Sequence, residues 1–325
     1  MPVQDIRHWM QNPLPTDTEY FDIGHYIAHS PKHAPKVQDY DLRRTFEQWR
    51  ETGIAIFPNA VPDDLIGRFL ADVEYLDAHR DKFELEVEYK GGRHRLRDLT
   101  ESPLAAPGTK FICLENISRA AREISLNRFV CDFLSHVFLD APSVIQSLTF
   151  WRGSQQPAHL DYPYVSVQTR LPHLAASWVA LEDVQEASGP LAYYPGSHKA
   201  GLIAPFDWGN GSIIETPESS RTVADFTAYL AGQVEKLELR PQIFLPRRGD
   251  VLVWHGHLLH GGTAIDDPAR TRKSYVTHYT SLAAYPKEHR FADAFAAGRC
   301  TALNGGYVFD HPWVEDSRQL PGWRR

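Results

Sequence analysis

The sequence predicts a mainly β protein of the barrel or jelly-roll class, with helices flanking the β region. From about residue 108 onward the chain is a series of short apolar runs, divided by proline and glycine at fairly even spacing. Many short strands of this kind are typical of barrels and jelly rolls. A parallel, nucleotide-binding sheet would instead show strands and helices in regular alternation.

The first 107 residues are expected to form an irregular N-terminal arm, followed by helices and short strands. Residues 1–40 show no sustained period, whereas the segments after them carry apolar residues at helical spacing or in alternation. The predicted elements here are helices at Tyr40–Thr52 and Leu65–Ala78, and strands at Ile54–Phe57 and Phe83–Tyr89. Gly53 is typical of a helix C-terminus, and Lys90–Arg93 of a hairpin turn.

The β core is predicted at residues 108–282, within a single domain that takes in all of residues 1–325. Its predicted strands are Phe111–Leu114, Ile145–Trp151, Val165–Thr169, Ala175–Leu181, Leu191–Tyr194, Gln242–Leu245, Val251–Trp254 and Ser274–Thr280, with one helix at Phe129–Phe138. The polar and helical stretch 202–238 interrupts this series, so we interpret it as an insertion or lid. Residues 283–325 are a C-terminal extension.

Composition and charge exclude several classes of protein. A formal net charge of −7 argues against a general nucleic-acid binder, which needs a basic surface. Three widely separated cysteines fit a reducing compartment. The N-terminus lacks the apolar core of a signal peptide, and no apolar run reaches membrane-spanning length. We therefore expect a cytoplasmic protein without nucleic-acid or membrane partners. Its oligomeric state stays open.

Three residues are candidate metal ligands. His159 and Asp161 follow an apolar strand, and if the chain stays extended they point to one face. His260, at a Gly-Gly break about a hundred residues later, completes a two-histidine, one-carboxylate set that suits iron(II) and leaves three coordination positions open. The alternatives are a chance match and a polar strand end.

A rival metal pair and a candidate anion-binding residue lie near the last ligand. His255 and His257, two apart, could form a different His-x-His site, but no matching glutamate and distal histidine follow them. Arg272, twelve residues past His260, could bind the far carboxylate of 2-oxoglutarate through two parallel hydrogen bonds. Arg270 is its competitor, and the spacing favours Arg272.

Five pieces in order resemble the phytanoyl-CoA hydroxylase-like branch of the iron(II)/2-oxoglutarate dioxygenases. They cover roughly residues 110–282 and are Ser154–Asp161, Ala176–Asp183, Ser188–His198, Gly249–His260 and Arg272–Tyr275. The resemblance implies a double-stranded β-helix, a jelly roll of the cupin-like type. It also implies iron(II) held by His159, Asp161 and His260, together with 2-oxoglutarate and dioxygen.

The resemblance also assigns the cosubstrate's surroundings. It implies that Arg272 binds the distal carboxylate and that Trp178 lies against the cosubstrate. A serine often sits two residues after the distal histidine in this family, but that position is Gly262 here, so Thr263 is our candidate for the second hydrogen-bond partner. Related halogenases have glycine or alanine in place of Asp161. The carboxylate therefore predicts hydroxylation or another oxidation.

The predicted activity is oxidation of an unactivated C–H bond of a small molecule, with succinate and CO2 as co-products. Gln156 and Trp151 are candidates for lining the pocket. Arg93, in a basic cluster, could meet an anionic group of the substrate near the mouth. The alternatives are a non-catalytic ligand-binding β-helix and a zinc hydrolase with the same three ligands.

Overall fold

The computed structural model describes residues 40–165, 173–199, 202–285, 299–310 and 320. Within these ranges the helices are α1 (Leu42–Thr52), α2 (Asp63–Ala78), α3 (Arg119–Ser125), α4 (Arg128–Phe138) and α5 (Val223–Lys236). Side-chain caps define the starts of several of them. Asp41 accepts a hydrogen bond from the backbone of Arg44 at the start of α1, and Gly53 ends that helix at φ 81°. This left-handed conformation favours glycine.

The strands form two sheets that are almost entirely antiparallel. They are β1 (Ile54–Phe57), β2 (Glu86–Tyr89), β3 (Gly92–Arg95), β4 (Lys110–Ile112), β5 (Pro142–Phe150), β6 (Ala175–Ala180), β7 (Leu191–Tyr193), β8 (Gln242–Phe244), β9 (Val251–His255), β10 (His260–Gly262), β11 (Ser274–Ser281), β12 (Cys300–Leu303) and β13 (Gly306–Phe309). The larger sheet has the order β1-β9-β6-β11-β5-β4-β2-β3, and the β12–β13 hairpin joins it beside β5. The smaller sheet has the order β10-β7-β8.

Alternation along the central strands separates two hydrophobic cores. On β11, Tyr275 and Tyr279 belong to the core shared with the helices, whereas Val276 belongs to the core shared with the small sheet. On β9, Val253 and Trp254 divide in the same way. Successive side chains of a strand point to opposite faces, so one face of the large sheet is covered by helices and the other by the small sheet. The interior between the two sheets is where the site lies.

Several elements differ from the predictions. The predicted strand Val165–Thr169 and the N-terminal arm fall largely outside the described residues. The segment 1–107 contributes β1, β2 and β3 to the large sheet, with β1 alongside β9. The short helix α3 and the hairpin β12–β13 were not predicted, and the interrupting stretch 202–238 carries α5. No helix among the described residues is long and apolar enough to span a membrane.

Candidate metal centre

The three predicted ligands meet at one point between the sheets. One ligand atom from each of His159, Asp161 and His260 lies within 4.8 Å of the others. His159 and His260 are held side by side by two backbone hydrogen bonds, N to O in both directions, of 2.8 and 3.1 Å. The sequence placed His260 at the end of a strand, but it begins β10. This pairing is what joins two segments a hundred residues apart.

Backbone carbonyls orient both imidazoles. Nδ1 of His159 lies 3.0 Å from the carbonyl of Pro157, and Nδ1 of His260 lies 2.9 Å from that of Leu258. A carbonyl only accepts, so each Nδ1 carries a proton and each Nε2 is left facing Asp161. The two Nε2 atoms lie 3.8 and 3.6 Å from Oδ1 of Asp161. This is the arrangement in which a protein presents histidines to a metal.

The second oxygen of Asp161 faces the large sheet. The indole Nε1 of Trp254 donates to Oδ2 at 2.7 Å, and Nε2 of His278 lies 3.6 Å from the same oxygen. The Trp254 ring also packs against His260, with centroids 4.8 Å apart. Oδ1 of Asp161 therefore faces the two histidines, and Oδ2 faces the large sheet.

Electrostatics favour the protonation states that a metal requires. Burial by itself would raise the pKa of Asp161, but the neighbouring His260 and His278 rings outweigh burial, and its pKa lies well below the usual value. Burial, followed by repulsion from His260, lowers the pKa of His159 to about 3. An ionised carboxylate and a neutral imidazole are the forms that bind metal ions. The donor set thus fits iron(II), with open positions for further ligands.

Arg272 is buried in the same cavity without an acidic partner among the described residues. It is 2% exposed, and its guanidinium lies 5.6 Å from the ring of Phe150 and 5.5 Å from that of Trp178. Its Nε has no hydrogen-bond partner, and no ion pair joins it to another described residue. Burial lowers its pKa to about 10, so it keeps its charge at neutral pH. A buried, unpaired cation is costly, and a guanidinium in this state is chemically suited to pair with a carboxylate.

Some of the other predicted residues line the cavity and some do not. Its lining consists of Leu148, Phe150, Ser154, Gln156, His159, Asp161, Trp178, Leu191, Trp254, His260, Gly261, Gly262, Arg272, Val276 and His278. Gln156 and Trp178, predicted to contact the substrate and the cosubstrate, are in this lining. Thr263, Trp151 and Arg93 are not.

Each of these three residues has another contact. The hydroxyl of Thr263 donates to the carbonyl of Pro190 at 3.1 Å. The ring of Trp151 lies under the ammonium group of Lys273, 4.3 Å away. The Arg93 side chain, on the hairpin strand β3, is 72% exposed and pairs with Glu86 at 3.1 Å.

The rival histidines do not belong to the cluster of candidate ligands. His255 packs against Trp49 and His198, with ring centroids 5.6 and 5.2 Å apart, and His257 packs against Tyr162 at 4.9 Å. Within the described part of the chain, His159, Asp161 and His260 are the one group whose spacing suits a metal ion.

The sequence interpretation missed two residues that contact the ligand set and several that line the cavity, Ser154 among them. Trp254 and His278 touch Asp161, and Ser154 forms part of the wall. Alternation along β9 and β11 could have placed Trp254 and His278 on the inner face. No local pattern indicates the position of Ser154, because its neighbours come from β10.

The fold and site define a cupin-like jelly roll with a two-histidine, one-carboxylate metal site. A comparison with protein families matches residues 49–273, more than half of the chain, to phytanoyl-CoA dioxygenase (PhyH). The chain belongs to this family. Both the predicted resemblance and the predicted fold class are therefore confirmed.

Two curated relatives match part of the chain. They are phytanoyl-CoA dioxygenase domain-containing protein 1 of Danio rerio, 26% identical over 141 residues, and phytanoyl-CoA dioxygenase of Arabidopsis thaliana, 28% identical over 142 residues. Each match covers 42% of this chain and 44% of the relative. The match thus spans less than half the length of each relative.

Solved structures share the fold at low identity. The α-ketoglutarate-dependent carbocyclase SnoK from nogalamycin biosynthesis superposes with a TM-score of 0.56 at 16% identity, over 75% of this chain and 85% of SnoK. EctD from S. alaskensis, solved with 2-oxoglutarate and 5-hydroxyectoine, gives 0.52 at 15% identity, over 78% of this chain and 80% of EctD. These likenesses support the jelly-roll architecture.

Proposed function

We propose that the protein is an iron(II)- and 2-oxoglutarate-dependent oxygenase acting on a small molecule. One observation carries the proposal. A buried, unpartnered Arg272 and the ligand set His159, Asp161 and His260 line a single cavity. The metal site leaves coordination positions open, and the Arg272 cation lies in the same cavity. Together they suit a ligand that chelates a metal ion at one end and carries a carboxylate at the other. 2-Oxoglutarate has this chemistry.

The residues have separate roles in this proposal. His159, Asp161 and His260 hold iron(II), and Arg272 binds the distal carboxylate of 2-oxoglutarate beside Trp178. Iron and 2-oxoglutarate together supply the oxidising chemistry, in which dioxygen is consumed, succinate and CO2 are released and a C–H bond is oxidised. Because Asp161 keeps its carboxylate, we expect hydroxylation or another oxidation, not halogenation. Gln156 remains a candidate substrate contact, whereas Trp151 and Arg93 lie outside the cavity and are left out of the site.

We further propose that residues 202–238 cap the metal centre. A separate hydrophobic cluster joins Trp208, Phe226 and Leu230 of this segment to Leu160 and Tyr162, which flank Asp161 in sequence. A cap packed directly onto the ligand-bearing segment is well placed to exclude water during oxidation.

Succinate formation tests the proposed activity. Purified protein supplied with iron(II), 2-oxoglutarate and dioxygen is expected to form succinate, slowly without substrate and faster when a substrate is present. Asp161→Ala is expected to lose both iron binding and succinate formation. Tight 2-oxoglutarate binding without succinate would instead indicate a non-catalytic ligand-binding protein, and zinc-dependent hydrolysis without dioxygen consumption would indicate a hydrolase.

A further inference from the structure

Ser154 lies on the cavity wall next to Gly262. The segment leading to the metal ligands runs antiparallel to β10, with hydrogen bonds between His159 and His260 and from the Gly262 N–H to the Gln156 carbonyl at 2.9 Å. Following β10 from His260 to Gly262 leads away from the metal ligands. Two residues of strand cover about 7 Å. Ser154 therefore lies about two strand residues from His260 along the cavity wall, a distance that the distal part of a chelated dicarboxylate would reach.

Gly262 makes room for the Ser154 hydroxyl. A Cβ atom at position 262 would lie 2.6 Å from the Ser154 Oγ and 2.9 Å from the backbone nitrogen of Gln155. Both distances are below normal contact, so a side chain at 262 and the observed position of Ser154 exclude each other. The hydroxyl of Ser154 thus occupies the place that a side chain on β10 would otherwise fill.

The hydroxyl proton of Ser154 has no acceptor among the described residues. Its Oγ accepts a hydrogen bond from the Gln156 N–H at 3.3 Å, but the Ser154 hydroxyl donates to no described group. The Thr263 hydroxyl, the other candidate, already donates to the carbonyl of Pro190, and Thr263 is absent from the cavity lining. Arg272 contributes the unpartnered Nε–H to the same cavity. Ser154 and Arg272 therefore bring two unused donors to the same cavity.

We infer that the Ser154 hydroxyl donates a hydrogen bond to the distal carboxylate of 2-oxoglutarate, beside Arg272. The inference rests on the proposed function and assigns the second partner of the cosubstrate to Ser154 instead of Thr263. It also gives Gly262 a role, since any larger residue there would displace this donor.

Equilibrium binding of 2-oxoglutarate to iron(II)-loaded protein without oxygen tests the assignment. Ser154→Ala is expected to weaken binding about tenfold or more, as expected for a lost hydrogen bond to a charged acceptor. The comparison ligand is 2-oxopentanoate, which has the same chelating end and carbon chain but no distal carboxylate. Wild type and Ser154→Ala should bind it equally.

The control variant is Ser188→Ala, in which the lost hydroxyl donates only to the backbone carbonyl of Gln185 at 2.7 Å. It should bind 2-oxoglutarate like the wild type. The assignment is overturned if Ser154→Ala binds 2-oxoglutarate normally, if Thr263→Val shows the loss instead, or if the loss is equal for 2-oxopentanoate. Failure of wild-type protein to bind 2-oxoglutarate would overturn the proposed function itself. Loss of binding in Arg272→Ala, with Ser154→Ala unaffected, would remove only the role of Ser154.

Discussion

The indole of Trp254 donates a 2.7 Å hydrogen bond to Oδ2 of Asp161, while Oδ1 faces the two histidine ligands. The bond fixes the rotation of the carboxylate and occupies the oxygen that would otherwise turn toward the metal. This arrangement would favour metal binding by Asp161 through Oδ1 alone. Because the same ring packs against His260, one side chain of β9 positions two of the three ligands.

Trp254→Phe should weaken metal binding without unfolding the protein, because the ring stays and only the N–H donor is lost. Removing a hydrogen-bond partner of a metal ligand typically lowers metal affinity 10–100-fold. Titration with iron(II), together with the absorption spectrum of the cobalt(II) form, measures affinity and coordination. Trp49→Phe is the control, since the buried indole N–H of Trp49 has no hydrogen-bond partner. Unchanged affinity and spectrum in Trp254→Phe would show that Asp161 does not need this support.

Arg272→Ala should raise the 2-oxoglutarate concentration required for turnover at least tenfold, since a bidentate contact between charged groups is worth about 1.5–3 kcal/mol or more. Arg270→Ala is the matched control. Arg270 is 44% exposed and pairs with Asp267 at 3.1 Å, an arrangement that contributes little. Succinate formation measured against 2-oxoglutarate concentration distinguishes the two. A larger effect in Arg270→Ala would move the anion-binding role two positions along the chain.

Phe226→Ala should loosen the cap selectively. Phe226 is 1% exposed and packs against Phe206 and Trp208 within the cluster that covers the Asp161 segment. Deleting a buried phenylalanine side chain costs about 3–5 kcal/mol. Amide hydrogen exchange should therefore rise across residues 202–238 and leave β5, β9 and β11 protected. Faster exchange throughout the sheets would mean that the segment is part of the main core and not a separate cap.

Asp132 gives the stability of the fold a pH dependence that can be isolated. Burial raises the pKa of Asp132 to about 6, although the Tyr40 hydroxyl bonded to it at 2.6 Å opposes this rise. Nε2 of His136 lies 3.9 Å away. Because the pKa of Asp132 is higher in the folded than in the unfolded protein, protonated Asp132 stabilises the fold. This contribution is complete below about pH 4, the pKa of Asp132 in the unfolded chain, and is lost as pH rises through 6.

Asp132→Asn removes this titration but keeps an acceptor for Tyr40. The stability of the variant relative to wild type should therefore rise between pH 4 and pH 7, by on the order of 2 kcal/mol. Denaturant unfolding of both proteins across this range gives the difference directly. A difference that stays constant with pH would place the ionised carboxylate in a better-solvated site than the structure indicates.

Periodicity was sufficient to predict most strands, whereas the three candidate ligands, which do lie together, also needed the family resemblance. The strands around the site have strong apolar patterns. His159 and Asp161 lie beyond the end of β5, and His260 begins β10, so the pairing of His159 with His260 that brings the three residues together was not predicted. The weakly apolar hairpin β12–β13 and the seven-residue helix α3 carry little pattern, so neither was predicted. The contact between Ser154 and Gly262 depends on how two segments pack at distant positions in the chain. No local sequence signal encodes such a distance.

The position of His260 at the start of β10 would link metal binding to folding. The small sheet has three strands of three residues each, so its own hydrogen bonds hold it weakly. A metal bound to His260 and Asp161 would tie this sheet to Trp254 and His278 of the large sheet. Binding to the folded state alone adds about 2.7 kcal/mol of stability when free metal is at 100 times its dissociation constant. Chelation should therefore lower the melting temperature and release the small sheet first.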